Sequence, residues 1–509
     1  MIDTKALRQK ILDMAIKGKL VPQDPNDEPA SVLLERIRAE KQQLIKEGKI
    51  KKDKNDSVIF KGDDNRYYEN LPYGWKICSV SDIAYLRTGA TFDKANVLLS
   101  NKNEGIRVLR GGNISTYKID FQIDDIFIPT AIVNPSIHVQ QYDIITPAVT
   151  SLENIGKMAR VFTKPTSNYT VGGFVYLLTP LFYNDTFSKF LLYQFTSTWF
   201  IRQLQAIAKK SGAAFYNINK TKFNGLPVFI PPLEEQARIV KRIEELFEQI
   251  EIIEQNQADI DTLYEEFRKR TLTLAIQGKL VPQDPNDEPA CVLLERIRAK
   301  KKAKLGKKFV DSYIYKGDDN CYYEKIKDSL KEISDEIPFD VPESWQWIRI
   351  DNLFQHNTGK ALNSSNTKGI LHPYITTSNV YWGHCSLDRV KEMYFTEDEF
   401  EKCSIVPGDL LVCEGGDVGR AAIWNENISM CIQNHIHRLR AYYPVCTAFY
   451  YFAFFVYKSI GLIGGKGIGI QGLSSGALGK LIFPLPPLAE QERIVKRVEI
   501  ILEKLKDED

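Results

Sequence analysis

The chain has 509 residues with 67 Lys and Arg, 65 Asp and Glu, and a formal net charge of +2. Hydrophobic residues make up 43% of it, which excludes wholesale disorder and predicts several cores, in three or four units at roughly 100–200 residues each. The balanced charge excludes a uniformly basic nucleic-acid binder, so a surface for nucleic acid must come from local segregation of charge. No apolar run approaches the roughly 20 residues of an ordinary membrane span.

The first residues, MIDTKALRQKIL, form an amphipathic segment that contains an acid, which is not the pattern of a signal peptide. Leu7, Ile11 and Met14 recur at helical spacing, so we expect a helix with an apolar seam there. The eight cysteines contain no C-x-x-C pair. We therefore expect reduced thiols in a cytoplasmic protein, and neither a disulfide framework nor a structural zinc site.

Long blocks of the sequence occur twice. Residues 16–39 (IKGKLVPQDPNDEPASVLLERIRA) and 276–299 (IQGKLVPQDPNDEPACVLLERIRA) differ at two of 24 positions. Two shorter pairs of blocks follow at a similar offset: KGDDNRYYE (61–69) with KGDDNCYYE (316–324), and PPLEEQARIVKRIEEL (231–246) with PPLAEQERIVKRVEII (486–501). A period near 255 residues predicts two halves built from one duplicated unit, and it excludes a solenoid of short repeats.

Between these blocks lie two divergent stretches, about 71–231 and 341–486, which share only a skeleton. Each begins with a Pro and a Trp. Each later has a Thr-Gly pair, an Asn among apolar residues, and an aspartate-led apolar strand, DIITP in one and DLLVC in the other. A shared pattern of key residues with different side chains between them predicts two copies of one fold that recognise two different targets. We expect an α+β protein with two similar mixed α/β globular domains.

The block after the first divergent stretch has the pattern of a coiled-coil helix. Eleven positions from 239 to 274 are spaced alternately by four and three residues, and nine of them are apolar. Pro231-Pro232 and the acids after it suit a helix start, and Gly278 suits its end, so we predict a helix over about 235–277. The two polar seam positions, Gln257 and Thr271, are either tolerated substitutions or residues that fix the register.

The two ends of the chain continue this pattern. Ile494, Val498, Ile501 and Leu505 form a seam near the C-terminus. By the repeat offsets, this segment and the N-terminal helix together correspond to one split copy of the central helix. We therefore predict that the termini lie close together and complete a second long helix, antiparallel to the first, in a pseudo-two-fold circular arrangement.

The order of these parts resembles the specificity subunit of a type I restriction-modification system. The resemblance rests on the doubled motif, PPLEEQARIVKRI and PPLAEQERIVKRV, each after a divergent domain, and it covers essentially the whole chain. It implies five segments: a helical region at 1–60, a target-recognition domain at 61–231, a coiled-coil spacer at 232–310, a second target-recognition domain at 311–486, and a C-terminal helix at 487–509. The charged stretches 41–61 and 300–338 fit either linkers or docking surface.

By the same resemblance, the chain is a non-catalytic subunit that reads double-stranded DNA. The resemblance implies two adenine-methylating partner subunits and ATP-dependent restriction and translocase subunits. S-adenosylmethionine, ATP and Mg are expected on those partners, and this chain is expected to bind no cofactor. Three alternatives stay open: a coiled-coil scaffold that joins two protein partners, a nuclease with an unrecognised site, and a specificity chain that serves a fused nuclease-methyltransferase.

Motifs for chemistry on this chain are weak. Residues 467–472 match G-x-G-x-x-G and residues 472–476 match G-x-S-x-G, but the corresponding segments of the first half do not keep these patterns. No P-loop sequence occurs. His435 and His437 have strand-like spacing, which would put both rings on one side, and we favour a satisfied polar pair there over a metal site.

Three pairs of aligned segments can supply contacts to base edges and phosphates. The candidate DNA-binding residues are Lys94, Arg110, Asn113, Ser115, Lys209, Lys210, Tyr216, Asn217 and Lys220 in the first domain, and Lys360, Asn363, Thr376, Asn379, Tyr381, Lys466 and Gln471 in the second. The shared Asn113 and Asn379 also fit a turn in which the side chain bonds its own backbone. The basic run 296–308 fits a solvated helix tail, a phosphate contact or a docking site.

The predicted central helix also sets a length. Its 43 residues at about 1.5 Å each span roughly 65 Å, which corresponds to under about 20 base pairs at ~3.4 Å per pair. We therefore expect a bipartite and asymmetric target, in which two different half-sites are separated by a fixed stretch of unread DNA.

Overall fold

The computed structural model divides the chain almost in half, into two compact units, Met1–Gln257 and Ala258–Asp509. The described residues are 2–50, 71–98, 105–162, 169–212, 214–363, 367–464 and 473–506. Each unit contains one copy of every duplicated sequence block, and each combines helices with strands. The predicted α+β class is therefore confirmed, and each unit holds one half of the duplication.

The first unit alternates helices with short strands. Its helices are α1 (Thr4–Ile16), α2 (Ala30–Lys46), α3 (Val80–Ile83), α4 (Asp185–Phe195), α5 (Thr198–Ile207), α6 (Lys220–Asn224) and the first part of α7 (Leu233–Ile276). Its strands are β1 (Lys76–Ser79), β2 (Ala84–Thr88), β3 (Gly105–Leu109), β4 (Ile114–Ser115), β5 (Lys118–Ile119), β6 (Ile126–Pro129), β7 (Ile144–Pro147), β8 (Val149–Thr150), β9 (Ala159–Arg160), β10 (Tyr169–Val171), β11 (Val175–Pro180), β12 (Ala208–Ser211), β13 (Phe215–Ile218) and β14 (Pro227–Ile230).

Two sheets carry the core of the first unit. The larger has the antiparallel order β2-β11-β7-β9, and every residue of β7 is buried, as expected of an apolar run covered on both faces. The smaller has the order β10-β3-β6, with β10 parallel to β3. Strand β1 pairs with β14, so the first and last strands of the divergent stretch close it on itself.

The second unit also combines helices with short strands. Its helices after α7 are α8 (Ala290–Leu305), α9 (Ile350–Leu353), α10 (Glu397–Cys403), α11 (Thr447–Ser459), α12 (Ser475–Lys480) and α13 (Leu488–Lys506). Its strands are β15 (Ser312–Lys316), β16 (Tyr322–Ile326), β17 (Ser329–Glu332), β18 (Gln346–Arg349), β19 (Phe354–Thr358), β20 (Ile370–Ile375), β21 (Lys391–Phe395), β22 (Ser404–Ile405), β23 (Leu410–Cys413), β24 (Ala421–Ile423), β25 (Met430–Ile432), β26 (Ile436–Ala441) and β27 (Ile482–Leu485).

The sheets of the second unit repeat those of the first. The order β19-β26-β23-β24 matches β2-β11-β7-β9, and the parallel pair β20 with β25 matches β3 with β10. The closing pair β18 with β27 matches β1 with β14. These matches confirm the prediction that the divergent stretches are two copies of one fold.

The charged stretch 300–338 is not a simple linker. Helix α8 runs on to Leu305, and residues 312–332 then form the antiparallel sheet β15-β16-β17. Ile314 and Ile333 of this stretch are buried against Trp347 in a small core. The matching block of the first half, KGDDNRYYE, lies outside the described residues.

The predicted central helix is present as α7, a single helix of 44 residues. In the first unit α1 packs against its first part, where Ile239, Ile243 and Ile250 are buried, and Arg8 of α1 forms an ion pair with Glu254 at 3.0 Å. In the second unit its last residues share a core with α13. The prediction that the two chain termini complete one helix concerns the two units together, and it stays a prediction.

The duplicated blocks contact each other at a joint in each unit. In the first unit the joint is formed by the segment after α1 and the start of α7, and in the second by the segment after α7 and the start of α13. Gly18 (φ +64°) ends α1, and a Cβ there would come within 2.3 Å of Pro72 Cγ. Arg238 binds Asp27 of the block with both nitrogens of its guanidinium, at 3.1 and 2.6 Å. The second unit repeats this contact between Arg493 and Asp287, at 2.9 and 2.6 Å.

Candidate nucleic-acid interface

Three segments of the first unit converge at one edge, which we call the first reading edge: residues 88–98, 109–115 and 171–175. Backbone hydrogen bonds hold them there. The amide of Gly172 donates to Leu109 O at 2.8 Å, and that of Ala90 donates to Val171 O at 2.7 Å. The amide of Ala148 donates to Phe174 O at 2.8 Å, which brings in the end of β7.

The segment that contains Lys209, Lys210, Tyr216 and Asn217 joins the same edge as a hairpin. Strand β12 pairs with β13, so that Lys209 lies opposite Asn217 and Lys210 lies opposite Tyr216. Strand β13 also pairs with β8, which follows directly after β7 and Ala148. The three candidate segments of the first domain, 88–96, 107–115 and 209–220, are therefore neighbours in the fold.

Most of the first-domain candidates present their side chains to solvent. The exposed ones are Lys94, Arg110, Lys209, Lys210, Asn217 and Lys220, and Tyr216 is half-buried. Three of these lysines, the arginine and the amide form a surface suited to phosphates and base edges, whereas Lys220 lines a cavity with Tyr85 and Leu181 at the other end of β2 and β11. This local segregation of charge is what a chain of nearly balanced composition requires for DNA binding.

The two shared asparagines are buried in turns. The Asn113 carboxamide accepts from the Arg110 amide at 2.8 Å and donates to Asp125 Oδ1 at 2.6 Å. Asn379 accepts from the Thr376 amide at 3.0 Å in the same way. Ser115, beside the first turn, donates to Asp120 Oδ2 at 2.7 Å. These bonds fit the turn interpretation, in which the asparagines shape the loop and their neighbours face outward.

The second unit has an equivalent edge, the second reading edge, built from residues 358–363, 375–384 and 432–435. The amide of Gln433 donates to Ile375 O at 2.9 Å, and that of Lys360 donates to Ile432 O at 3.1 Å. The amide of Glu414 donates to His435 O at 2.9 Å. Each bond has its counterpart at the first reading edge, so the backbone frame is common to both.

The side chains of the second edge differ from those of the first. Tyr381 is exposed, with its ring stacked on His384 at 5.2 Å and the Arg420 guanidinium 5.8 Å from the ring centre. Asn363 is exposed and Thr376 is half-buried. Lys466 and Gln471, together with the glycine-rich run 467–472, lie outside the described residues.

Lys360 is held within the second domain. Its Nζ forms an ion pair with Glu399 Oε2 at 2.6 Å and donates to Tyr394 O at 2.8 Å, and its side chain is only 10% exposed. In this position the lysine fixes the edge against α10. A role in DNA contact would require it to leave both partners.

The histidine spacing was interpreted wrongly in one respect. His435 precedes β26 and is exposed, whereas His437 lies within the strand and is fully buried, so the two rings do not share a side. His437 Nδ1 lies 2.8 Å from His356 Nε2, and His437 Nε2 lies 2.6 Å from Leu473 O. Burial and the neighbouring His437 lower the pKa of His356 to about 4. Among the described residues no group of three or more His, Cys, Asp or Glu is arranged to hold a metal ion.

Sequence reasoning missed two edge residues, Phe174 and His435. They occupy the same position in the two domains, just before β11 and β26, and both are largely exposed. The available signal was the alignment of VGGFVY with IQNHIH between two apolar strands. An exposed aromatic ring in such a turn is a candidate for binding, because it is not buried and so does not stabilise the core.

Comparisons with known proteins agree with this arrangement. A family model described as type I restriction modification DNA specificity domain matches residues 72–262 and 342–508. The specificity subunit of the type I restriction enzyme EcoAI of Escherichia coli is 28% identical over 98% of this chain and 89% of its own length. The EcoEI specificity subunit of Escherichia coli is 27% identical over 82% of this chain and 74% of its own length.

A solved structure also shares the fold. A chain from work on the complex assembly and conformational transition of the type I R-M system aligns with a TM-score of 0.53 at 18% identity, covering 86% of this chain and 92% of that one. No helix within the described residues has the length and apolarity needed to cross a membrane.

Two similar domains, each followed by a near-identical helical block, define a DNA-specificity protein. The chain belongs to the type I restriction modification DNA specificity family, which the family model matches twice over most of its length. It is a specificity subunit of a type I restriction-modification system, and its general function is sequence-specific DNA recognition.

Proposed function

We propose that this subunit reads two different half-sites of double-stranded DNA, one with each reading edge. The observation that carries the proposal is the common backbone frame of the two edges, on which the side chains differ. Arg110 in the first domain aligns with Thr376 in the second, and Ser115 aligns with Tyr381. The common backbone would place both edges on DNA in the same way, and the different side chains would contact different bases. This arrangement supports an asymmetric, bipartite target.

The proposal divides the first-domain residues into two roles. Arg110 and Asn217 are proposed to hydrogen-bond base edges, because Arg suits guanine and an amide suits adenine in the major groove. Lys94, Lys209, Lys210 and Lys220 are proposed to contact phosphates, with Tyr216 supporting the hairpin. Asn113 and Ser115 are proposed to shape the loop from within.

In the second domain, Thr376, Tyr381 and Asn363 are proposed to face DNA, and Asn379 and Lys360 to hold the edge. The roles of Lys466 and Gln471 stay predictions from their alignment with the first-domain hairpin. The two sets share few residue types, which supports two different half-sites.

The gap between the half-sites is proposed to be set by helix length. Helix α7 has 44 residues, or about 66 Å at ~1.5 Å per residue. Inserting seven residues into α7, with a matching insertion in the terminal helices, should lengthen the unread gap and leave both half-sites unchanged. If the assembled complex still methylated a motif with the original gap, the proposal that helix length sets the gap would be wrong.

The partners are proposed to be two adenine-methylating subunits and ATP-dependent restriction and translocase subunits, acting in the cytoplasm. This chain is proposed to be non-catalytic and to bind no cofactor, with S-adenosylmethionine, ATP and Mg on the partners. Two alternatives can be distinguished from this proposal. A scaffold would not bind DNA, and a chain that serves a fused nuclease-methyltransferase would have the gene of that enzyme as its neighbour.

The decisive experiment is methylation-sensitive long-read sequencing of a host that expresses this chain with a cognate methylation subunit. We expect one bipartite adenine-methylation motif that disappears when the chain is omitted. An assembled complex without any chain-dependent motif would refute the recognition role. In parallel, DNA binding by the complex should weaken steeply with added salt, whereas a pure scaffold would show no such binding.

A further inference from the structure

An exposed phenylalanine stands on a rigid turn at the centre of the first reading edge. Phe174 is 74% exposed, although it is a large apolar side chain. Its turn is closed by a hydrogen bond from the Val175 amide to Gly172 O at 2.9 Å, and its own carbonyl accepts from the Ala148 amide at 2.8 Å. The ring is therefore presented to solvent by a backbone that is fixed on two sides.

The turn lies between the polar segments of the edge. A Cβ on Gly172 would come within 4.0 Å of Arg110 Cγ, and one on Gly173 within 3.2 Å of Thr91 Oγ1. The carbonyl contact to Ala148 ties the turn to β8, which pairs with Asn217 of the hairpin. The turn that carries Phe174 therefore lies beside Arg110 and is connected through β8 to the strand of Asn217, and both of these residues are proposed to contact DNA.

The second domain carries the same turn with a different side chain. The Ile436 amide donates to Gln433 O at 3.0 Å, as Val175 does to Gly172. His435 takes the place of Phe174, with 56% of its side chain exposed and Nδ1 3.6 Å from Glu414 Oε2. One domain therefore offers an apolar ring at this position and the other offers a hydrogen-bonding ring.

We infer that Phe174 is a specificity-determining residue whose ring contacts the methyl group of a thymine in the half-site read by the first domain. A phenyl ring cannot replace the water bonds of a polar base edge, so covering such an edge would be unfavourable. The thymine 5-methyl is the apolar group that bases present in the major groove. This inference rests on the proposed function, because it assigns one contact within the first reading edge.

The test uses the complex with its methylation subunits and duplexes that carry the motif found by sequencing. Each thymine of both half-sites is replaced in turn by uracil, which removes the methyl group and keeps every hydrogen bond. One replacement should lower the methylation rate at limiting DNA about fourfold, the equivalent of one buried methylene. That thymine should lie in the half-site whose recognition Arg110→Ala also weakens.

The partner experiment repeats the series with Phe174→Ala. In this variant the sensitive thymine should lose its effect, so that uracil and thymine duplexes react equally. Tyr183→Ala is the matched control, because Tyr183 is 65% exposed and lies beyond the opposite end of β11. This control should keep the fourfold preference for thymine, and both variants should unfold at the temperature of the unaltered chain.

Two results would overturn the inference. One is an unaltered chain that is indifferent to every uracil replacement. The other is Phe174→Ala retaining the full preference for thymine at the sensitive position. Failure of the proposed function looks different, since then the unaltered chain would direct no methylation motif at all.

Discussion

Trp75 donates its indole N–H to Glu235 Oε2 at 2.9 Å, which ties the start of the first divergent domain to the start of helix α7. The duplicated block adds a third residue, because Gln23 Nε2 donates to the other carboxylate oxygen at 3.2 Å. In the second unit Trp345, Glu490 and Gln283 form the same triad, with bonds of 2.9 and 2.6 Å. The joint thus uses the same three residue types in both units, and two of them, the glutamine and the glutamate, lie in the near-identical blocks.

The triad predicts a loss of stability when the indole donor is removed. Trp75→Phe keeps an aromatic ring but leaves the buried Glu235 carboxylate without one of its two donors. We expect a loss of about 1–3 kcal/mol in the free energy of unfolding, measured by urea denaturation. Trp345→Phe is the matched variant in the second unit and should cost a similar amount. Unchanged denaturation midpoints in both variants would contradict the assigned role of the triad.

The same carboxylate predicts a pH dependence. Burial raises the pKa of Glu235 above its ordinary value of 4.5, and the bonds from Trp75 and Gln23 offset only part of that rise. Because this pKa is raised in the folded state, the contribution of Glu235 to stability is fully present below 4.5 and is lost as the pH rises through the folded value.

Glu235→Gln isolates this effect. The carboxamide oxygen can still accept from Trp75, and the side chain stays neutral at every pH. Relative to the unaltered chain, the variant should therefore gain stability as the pH is raised from about 4 to about 7. Urea denaturation at a series of pH values measures the difference, and a constant offset between the two proteins would show that burial does not control this carboxyl.

Arg110 and Lys209 should respond differently to truncation if they contact a base and a phosphate. Arg110→Ala should relax recognition at one position of one half-site, at a cost of about 1–3 kcal/mol against the correct base. Lys209→Ala should weaken binding to all sequences alike and should lower the slope of log K against log salt by about 0.9. Binding titrations of the complex with matched and mismatched duplexes separate the two. Equal effects of Arg110→Ala on every sequence would reassign it to phosphate contact.

The long helix and the buried strands could be predicted, because each depends on residues that are close together in the sequence. The heptad spacing predicted a helix over about 235–277, and α7 spans Leu233–Ile276. The two aspartate-led strands also follow a local rule: Asp143 accepts from the Gln140 amide at 2.8 Å and Asp409 accepts from the Val406 amide at 2.9 Å. In each case the carboxylate closes the turn that leads into a buried strand.

The reading edges were harder to predict, because they depend on long-range pairing. The β12–β13 hairpin reaches the first edge through β8, more than sixty residues earlier in the chain, and no local pattern encodes that pairing. Lys360 looked like a DNA contact from its loop sequence, yet Glu399 and Tyr394 O hold it. The burial of His437 likewise follows from its partner His356 on the neighbouring strand β19.

That histidine pair predicts that the second unit is sensitive to acid. Burial lowers the pKa of both rings, that of His356 to about 4, so the folded state holds them neutral. The unfolded chain binds protons at the ordinary value of 6.5, so stability should fall as the pH drops from about 6.5 toward 4.

His356→Gln should remove most of this dependence, because a carboxamide can still bond to His437 and does not titrate in this range. His384→Gln is the control, since His384 is exposed and stacks on Tyr381 outside the core. Urea denaturation between about pH 4 and pH 7 should give parallel curves for the control and the unaltered chain, and a flatter curve for His356→Gln. A dependence that survives in His356→Gln would locate the acid sensitivity outside this residue, with the buried His437 as the next candidate.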